Sequence, residues 1–327
     1  MIRVLQVTNA YPRADLPDFG VFIREQIESL DSALVRSEVL VIAQGGGIGG
    51  YLRSVRQVRR AARQADLVHC HHMLCGLVAL LAGLRSKAVV SFTSEGGRNF
   101  KRGPRWLGKL MFFAATRLSL HNIFKGPMPP GLEHKSSCLP NGVDIQRFDI
   151  GDKLQARQQL GLKSDPHYVL FVSAVRMNRP EKRYDHFMQA MKSLHRRRPG
   201  EFFPLTMTNV PRGAVPLYYQ AASAHLLTSD VEGSPNSIKE SLASGTPVVA
   251  RDVGGVTGLL DGVPGCGLFA GDDPEVVADL IEKAITASAQ QVRLAFLSKG
   301  LDMPRVAQRL AGIYVELVAG KKGPTSS

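Results

Sequence analysis

The sequence predicts an α/β protein with two domains, each built on a parallel β-sheet that is wrapped by helices. Three features indicate this fold class. The chain has 327 residues, which is enough for two domains. Short β-rich runs alternate with helical patterns along most of it, the order typical of parallel sheets. A turn-rich stretch over residues 139–148 interrupts the alternation, so we expect a domain boundary near residue 150.

Residues 1–150 are predicted to form the first domain. We expect strands at its β-rich runs and helices where apolar residues recur at helical spacing. The predicted strands cover 2–8, 37–43, 67–71 and 87–93, and the predicted helices cover 21–34, 51–65, 75–84 and 105–118.

Residues 151–303 are predicted to form the second domain, in which the alternation starts again after a polar stretch. A strand is expected over 168–174, a helix over 184–195 and a further strand over 224–228. Residues 304–327 are expected to form a last helix and a disordered tail. Both domains would be Rossmann-like, with the ligand between them at the carboxyl ends of the strands.

The composition is that of an ordinary globular protein with a strongly positive charge. Apolar residues make up 44% of the chain and charged residues 21%, and the net charge is +13. Such a charge permits nucleic acid, an anionic membrane or phosphorylated substrates as partners. The sequence has no aromatic-basic RNA motif and no zinc-finger spacing, so we expect no nucleic-acid partner.

Cysteine spacing and hydropathy argue against two further classes. The four cysteines have no spacing typical of a metal site, and we expect Cys70, His71 and His72 to be packed residues in a reducing cytosol rather than metal ligands. The longest apolar run, 73–84, is shorter than the roughly 20 residues that span a bilayer. No signal peptide precedes the first strand. We therefore expect a cytoplasmic protein without a membrane span.

The most informative stretch is Glu-Gly-Ser-Pro-Asn-Ser-Ile-Lys-Glu, from Glu232 to Glu240. Ser234 is a favourable N-cap and Pro235 suits the first helical position, so a helix is expected to begin here and to end at Gly245. The glutamates then bracket a helix N-terminus, whose free N–H groups attract phosphate. Carboxylates accept hydrogen bonds from sugar hydroxyls, so the stretch predicts a nucleotide-sugar site. The alternative is an ordinary amphipathic helix with a solvated Glu240.

This run resembles the donor-site signature of glycosyltransferase family 4, a retaining family with the GT-B fold of two facing Rossmann-like domains. Within the family it looks most like the enzymes of teichuronic acid and related surface-polysaccharide synthesis. The resemblance covers about residues 4–318. It implies that the first domain binds the acceptor, that the second binds the nucleotide-sugar donor, and that the last helix crosses back onto the first domain.

Two cations match the family's donor domain, Arg176 at the end of a strand and Lys182 six residues later. Negative charge builds up on a diphosphate leaving group, and two fixed cations can stabilise it in place of a divalent metal. The resemblance thus implies that Arg176 and Lys182 are catalytic and bind the donor, with no metal or other cofactor. Arg179 and Arg183 are alternatives in the same loop, and a solvated basic loop is the other interpretation.

The resemblance also implies roles for the glutamate motif. Glu240 would bind the ribose hydroxyls, and Glu232 would face the transferred sugar as a third catalytic residue. Neither glutamate has to be a nucleophile, since the departing phosphate is thought to accept the proton of the acceptor. The donor-binding residues expected from this run are Glu232, Gly233, Ser234, Pro235, Asn236 and Glu240.

Three residues of the first domain are expected at the cleft. Gly20 resembles the family's Gly-Ile/Val-Phe opening, where glycine lets the backbone approach a ligand, although a plain turn glycine fits equally well. Thr93 stands where the family often has a histidine, and Glu95 stands near the usual aspartate. The threonine leaves the identity of the donor, and activity itself, open.

The interval between residues 195 and 218 is a second departure from the family, which usually has a further strand and helix there. We expect a compact variant that lacks an edge element, and this absence could alter the pocket for the nucleotide base.

Two basic segments account for much of the charge. Five arginines line one side of the helix over 51–65. Arg105, Trp106, Lys109 and Phe113 belong to a second helical pattern, which is typical of a helix at a membrane interface. The alternative is a solvated basic face above an ordinary core stripe.

The sequence therefore predicts a retaining, metal-independent glycosyltransferase. It would move a hexose from a nucleotide-diphosphate sugar to a lipid-linked glycan of a bacterial cell surface, at the inner face of the membrane. Two alternatives stay open: a non-catalytic GT-B subunit that binds nucleotide-sugar or glycan, and a GT-B nucleotide-sugar epimerase.

Overall fold

The computed structural model describes residues 1–43, 47–92, 105–173 and 179–321. They form two compact units: the first contains Met1–Gly142 and the segment that begins at Met303, and the second contains Val143–Asp302. The boundary lies at residue 143 rather than near 150. The Val143 amide donates to the carbonyl of Leu301 over 3.0 Å, which joins the start of the second unit to its end.

The first unit contains a six-stranded parallel sheet in the order β2-β1-β3-β4-β5-β6. Its strands are β1 (Ile2–Thr8), β2 (Val35–Val41), β3 (Leu67–Cys70), β4 (Ala88–Phe92), β5 (His121–Phe124) and β6 (Ser136–Cys138). Its first four helices are α1 (Val21–Glu28), α2 (Gly47–Ala61), α3 (Met73–Leu81) and α4 (Arg105–Leu118).

The second unit contains a five-stranded parallel sheet in the order β11-β10-β9-β7-β8. Its strands are β7 (His167–Val172), β8 (Phe202–Met207), β9 (Ala224–Leu227), β10 (Val248–Arg251) and β11 (Gly267–Phe269). Its helices are α5 (Lys153–Gln159), α6 (Tyr184–Arg197), α7 (Val215–Ala221), α8 (Asn236–Ala243), α9 (Val256–Leu260), α10 (Pro274–Ala284) and α11 (Ala289–Ser298).

The interval between residues 195 and 218 contains the edge strand β8, so the expectation that it lacks an edge element was wrong. The strand pairs with β7 along all six of its residues. Pro204 lies inside β8, which an edge strand tolerates because one of its sides carries no ladder hydrogen bonds. Residues 208–214, which follow the strand, form no helix.

The last helix, α12 (Met303–Lys321), packs on the sheet of the first unit. Its buried residues Val306, Leu310 and Tyr314 recur every four positions and share one cluster with Val4 of β1. Leu5, the next residue of β1, belongs instead to the cluster that contains residues of α2, α3 and α4. Successive residues of a strand point to opposite faces, so the two groups of helices cover the two faces of this sheet.

The helix predicted over 21–34 ends at Glu28, six residues earlier than its spacing indicated. Asp31 starts a turn instead. Its side chain accepts from the Ala33 amide over 2.8 Å, and its carbonyl accepts from the Leu34 amide over 3.0 Å. This local competition is not visible in the apolar pattern.

Candidate active site

Two predicted donor residues of the second unit, Lys182 and Glu232, lie in segments that follow neighbouring parallel strands. Lys182 lies after β7, Glu232 after β9, and a Gly254-Gly255 pair after β10. Because these strands are adjacent in the sheet, their carboxyl ends meet at one edge, where α/β sheets bind ligands.

Lys182 and Glu232 form an ion pair between two of these loops. The Lys182 ammonium nitrogen lies 2.6 Å from Oε1 of Glu232, and the side chains are 17% and 14% exposed. The nearby His225 in β9 is kept neutral, because burial and then the charge of Lys182 lower its pKa to about 3. The pair is therefore mostly shielded from water but still reachable by a ligand.

Thr228 restrains the backbone at Lys182 through hydrogen bonds. Its hydroxyl lies 2.8 Å from the carbonyl oxygen of Lys182 and 3.0 Å from that of Arg183. The Asp230 amide also donates to the carbonyl of Glu181 over 2.9 Å. Arg183 itself has a positive φ of 51°, a conformation that costs a non-glycine residue free energy. The loops after β7 and β9 are thus joined through both backbone and side chains.

Gly254, in the loop after β10, packs against the backbone of Glu232. It has a φ of 58°, and a Cβ atom at this position would overlap the carbonyl oxygen of Glu232. The Gly255 amide donates to the carbonyl of Gly233 over 2.8 Å. Only glycine satisfies both the positive φ and the close approach, so the Gly254 loop fixes the backbone of Glu232.

Helix α8 begins one residue later than the sequence predicted. Pro235 is the N-cap and makes no side-chain capping bond, so the assignment of Ser234 as N-cap was wrong. The Ser234 hydroxyl oxygen is buried and has no hydrogen-bond partner in the described part of the chain. A helix end without a side-chain cap and a buried hydroxyl without a partner form a polar environment that suits an anion.

Glu240 lies inside α8 and is 7% exposed. Its carboxylate accepts from Arg212 over 2.6 Å and from the Tyr219 hydroxyl over 3.1 Å. Burial, with the Glu240 charge beside it, raises the pKa of Tyr219 well above its usual range, so Tyr219 remains a donor. The Arg212 guanidinium also lies over the Phe148 ring, 4.9 Å from its centre. Carboxylate oxygens have two lone pairs each, so Glu240 can accept further hydrogen bonds.

Several predicted site residues lie outside the described part of the chain. They are Arg176, Thr93, Glu95 and the side chain of Arg105. The two alternatives to Arg176 have other partners: Arg179 pairs with Glu181 over 2.7 Å, and Arg183 with Asp185 over 3.0 Å. Among the described residues, no group of three His, Cys, Asp or Glu side chains could hold a metal ion.

Gly20 has a structural role in its own loop. It is the N-cap of α1 with a φ of 73°, and a Cβ atom there would overlap the carbonyl oxygen of Ala10. A glycine is therefore required by backbone packing alone, and a ligand-facing role for Gly20 stays a prediction.

The predicted membrane residues of α4 lie on an exposed face of the first unit. Trp106 is 65% exposed, Phe113 57% and Leu110, between them, 55%, and Lys109 is also exposed. Their spacing of four and three residues places the apolar side chains in one stripe. No helix within the described ranges is long and apolar enough to cross a bilayer.

Four residues of the candidate site were not singled out from the sequence: Arg212, Tyr219, Thr228 and Gly254. Arg212 and Tyr219 are brought to Glu240 by elements 28 and 21 residues away. The Gly-Gly pair soon after the apolar run at residues 247–250 was a usable signal for a close backbone approach. Nothing in the local sequence marks the other three.

Two parallel-sheet units with polar loops at the carboxyl ends of their strands match the GT-B fold. The family model described as Glycosyl transferases group 1 matches residues 205–287, inside the second unit. A D-inositol 3-phosphate glycosyltransferase of Frankia alni is 29% identical over 283 residues, covering 70% of this chain and 68% of the relative. The chain is therefore a glycosyltransferase, and residues 205–287 of its second unit match the group 1 model.

Solved structures show the same fold. Sucrose-phosphate synthase from Thermosynechococcus elongatus superposes with a TM-score of 0.78 at 15% identity, over 98% of this chain and 100% of that one. HepE of Anabaena, solved in complex with UDP, gives a TM-score of 0.72 at 16% identity over 97% and 100%. The same protein has also been solved with UDP-glucose, with a TM-score of 0.69 at 17% identity over 97% and 100%.

These comparisons confirm the predicted GT-B fold and the prediction that the chain is a glycosyltransferase. They do not support the finer resemblance to teichuronic-acid enzymes, since the named relatives are D-inositol 3-phosphate glycosyltransferases.

Proposed function

We propose that this enzyme transfers a hexose, with retention and without a metal, from a nucleotide-diphosphate sugar to a lipid-linked glycan acceptor in bacterial cell-surface polysaccharide synthesis. The observation that carries the donor assignment is the ion pair of Lys182 with Glu232 beside the N-terminus of α8. A cation, a carboxylate and an uncapped helix end are the groups that a sugar diphosphate needs.

The donor phosphates would bind at this helix end. Lys182 would exchange its contact with Glu232 for a phosphate oxygen, and the buried Ser234 hydroxyl would donate to the same group. As the glycosidic bond breaks, charge grows on the leaving phosphate, and a fixed ammonium stabilises that charge most when water is excluded. Arg176, as the family resemblance implies, would supply the second cation.

The two glutamates would bind sugar hydroxyls. Glu232, released by Lys182, would accept from the hydroxyls of the transferred hexose. Glu240 would accept from the ribose, and its bonds from Arg212 and Tyr219 would hold the carboxylate in one orientation. The leaving phosphate would take the acceptor proton on the face where the new bond forms, which gives retention.

The proposal includes attachment to an anionic membrane, which would make the enzyme a peripheral protein of the cytoplasmic face. Helices α2, α3 and α4 pack against the same cluster of the first unit. The described segments 47–92 and 105–118 contain ten arginines and lysines and one acidic residue, Asp66. Positive charge on the face of the first unit that also carries the exposed stripe of Trp106, Leu110 and Phe113 suits a surface of anionic lipid.

An inositol phosphate is a second candidate acceptor, because the relatives named above are D-inositol 3-phosphate glycosyltransferases. It would need no membrane. The two acceptors share the donor chemistry and differ in where the enzyme works, so liposome binding separates them.

The donor assignment is tested by thermal melting with a panel of nucleoside diphosphates and nucleotide-sugars, with and without a divalent metal. A ligand present at a hundred times its Kd adds about 2.7 kcal/mol to stability. We expect a metal-independent shift with one base, and a smaller shift in Lys182→Met. No shift with any nucleotide would contradict the proposal, and a shift that requires metal would contradict its metal-independent part.

A further inference from the structure

Lys125 is a buried lysine at the carboxyl edge of the first unit's sheet. It directly follows β5, and its amide donates to the carbonyl of Phe92, the last residue of β4, over 3.0 Å. The residue is 4% exposed. Its backbone therefore continues the ladder between β4 and β5, and its side chain starts where parallel sheets bind ligands.

The Lys125 ammonium has no hydrogen-bond partner among the described residues. Buried polar groups in proteins are nearly always paired, and a buried charge is rarely left alone. Arg157, the buried arginine of the second unit, follows this rule, since it donates to the carbonyl of Ala221 over 3.1 Å and lies 3.3 Å from the Ser223 hydroxyl. Lys125 departs from this rule, and packing alone gives no reason to keep a lysine there.

Among the described residues, the surroundings of Lys125 are poor in negative charge. Burial lowers its pKa to about 7, and Cys138 of β6 is the group that acts in the opposite direction. His71, which follows β3, is kept neutral because burial and then Lys125 lower its pKa to about 3. Among these neighbours nothing neutralises the ammonium, so an arriving anion would meet an uncompensated donor of three hydrogen bonds.

We propose that Lys125 binds a phosphate group of the sugar acceptor. Both acceptors considered above carry phosphate, as a monoester on an inositol or as the diphosphate that links a glycan to a lipid. The compact ammonium of lysine suits a phosphate oxygen as a point charge. The inference rests on the proposed function only in naming the acceptor as the ligand, since the anion site itself is a property of the first unit.

Isothermal titration with inorganic phosphate tests the site. All measurements are made in a Lys182→Met background, so that the proposed donor site contributes less to phosphate binding. Lys125→Met is added to this background and compared with Lys192→Met, which replaces an exposed lysine of α6. We expect at least about tenfold weaker phosphate binding from Lys125→Met and no change from Lys192→Met. The proposal would be overturned if a folded protein with Lys125→Met bound phosphate as tightly as the Lys182→Met background, or if that background bound no phosphate.

The melting temperature of the free protein separates a binding role from a structural one. Methionine is an unbranched side chain only one heavy atom shorter than lysine and carries no charge, so Lys125→Met should melt at a higher temperature than the parent protein when no anion is present. A lower melting temperature together with unchanged phosphate binding would assign Lys125 a structural role. If Lys125→Met does not fold, Lys125→Gln takes its place.

Two further ligands identify the source of the phosphate. An inositol monophosphate and a polyprenyl diphosphate in detergent are titrated into the parent and into Lys125→Met. We expect one of them to lose at least about tenfold affinity in the variant. If neither depends on Lys125 while inorganic phosphate does, the acceptor assignment is overturned. A failed nucleotide melting test with an intact Lys125 site would instead contradict the proposed donor.

Discussion

The hydroxyl of Thr228 lies 2.8 Å from the carbonyl oxygen of Lys182, the residue whose ammonium meets Glu232. A side chain that follows one strand thus determines where the cation that follows the neighbouring strand can lie. The contact fixes the backbone and leaves the ammonium free to change partners.

Removing the Thr228 hydroxyl should lower activity without removing any group that touches the donor. Thr228→Val keeps the shape of the side chain, and we expect kcat/KM to fall about fivefold, because one buried hydrogen bond contributes about 1 kcal/mol. Steady-state kinetics measure this effect. Thr228→Ser, which keeps the hydroxyl, should restore at least half of the loss. Equal activity of the valine and serine variants would contradict the positioning role.

Lys182→Met should reduce kcat by about 10² to 10³, because the ammonium is expected to act on charge that develops in the transition state. Single-turnover kinetics at saturating donor would isolate this step. Lys192→Met is the matched control and should behave as the parent. A variant of Lys182 that loses donor affinity alone, with kcat intact, would exclude the catalytic role and leave a binding role.

The exposed stripe of α4 should be required for membrane binding. Replacing Trp106, Leu110 and Phe113 by serine removes apolar area that is mostly in water, so we expect a small loss of stability and at least about tenfold weaker binding to anionic vesicles. Vesicle sedimentation at low and physiological salt measures it. Leu154→Ser, at a similarly exposed leucine of the second unit, is the control. If the triple variant sediments like the parent, α4 is not the docking surface.

Stability should fall on mild acidification. Burial lowers the pKa of His71 and of His225 to about 3 from an ordinary 6.5. Between these values the unfolded chain binds more protons than the folded one, so the free energy of unfolding decreases as pH falls below 6.5. Well below 6.5 each histidine contributes about 1.4 kcal/mol per pH unit.

Urea denaturation at pH 7.5, 6.0 and 5.0 measures this slope. His225→Gln should make it shallower, whereas the exposed His195→Gln should leave it unchanged. An identical slope in the parent and in His225→Gln would show that His225 already titrates normally in the folded state.

The sequence by itself determined the class of fold and the donor motif. The strand at Ile2–Thr8 and the helix at Arg105–Leu118 were predicted to the residue, because apolar periodicity and turn residues act locally. Local signals failed where a nearby group competes, as at Asp31, which ends α1 early, and at Pro235, which displaces Ser234 as N-cap.

Only the tertiary structure decided which partners the motif residues have. Glu240 meets Arg212 and Tyr219, and Lys182 meets Glu232 at a separation of 50 residues. The burial of Lys125 is equally invisible in its own segment, because the strands on either side of β5 create it. Hydrogen bonding, desolvation and close backbone approach depend on distances in space between residues that are far apart in the sequence. Sequence periodicity reports only on residues that are close together along the chain.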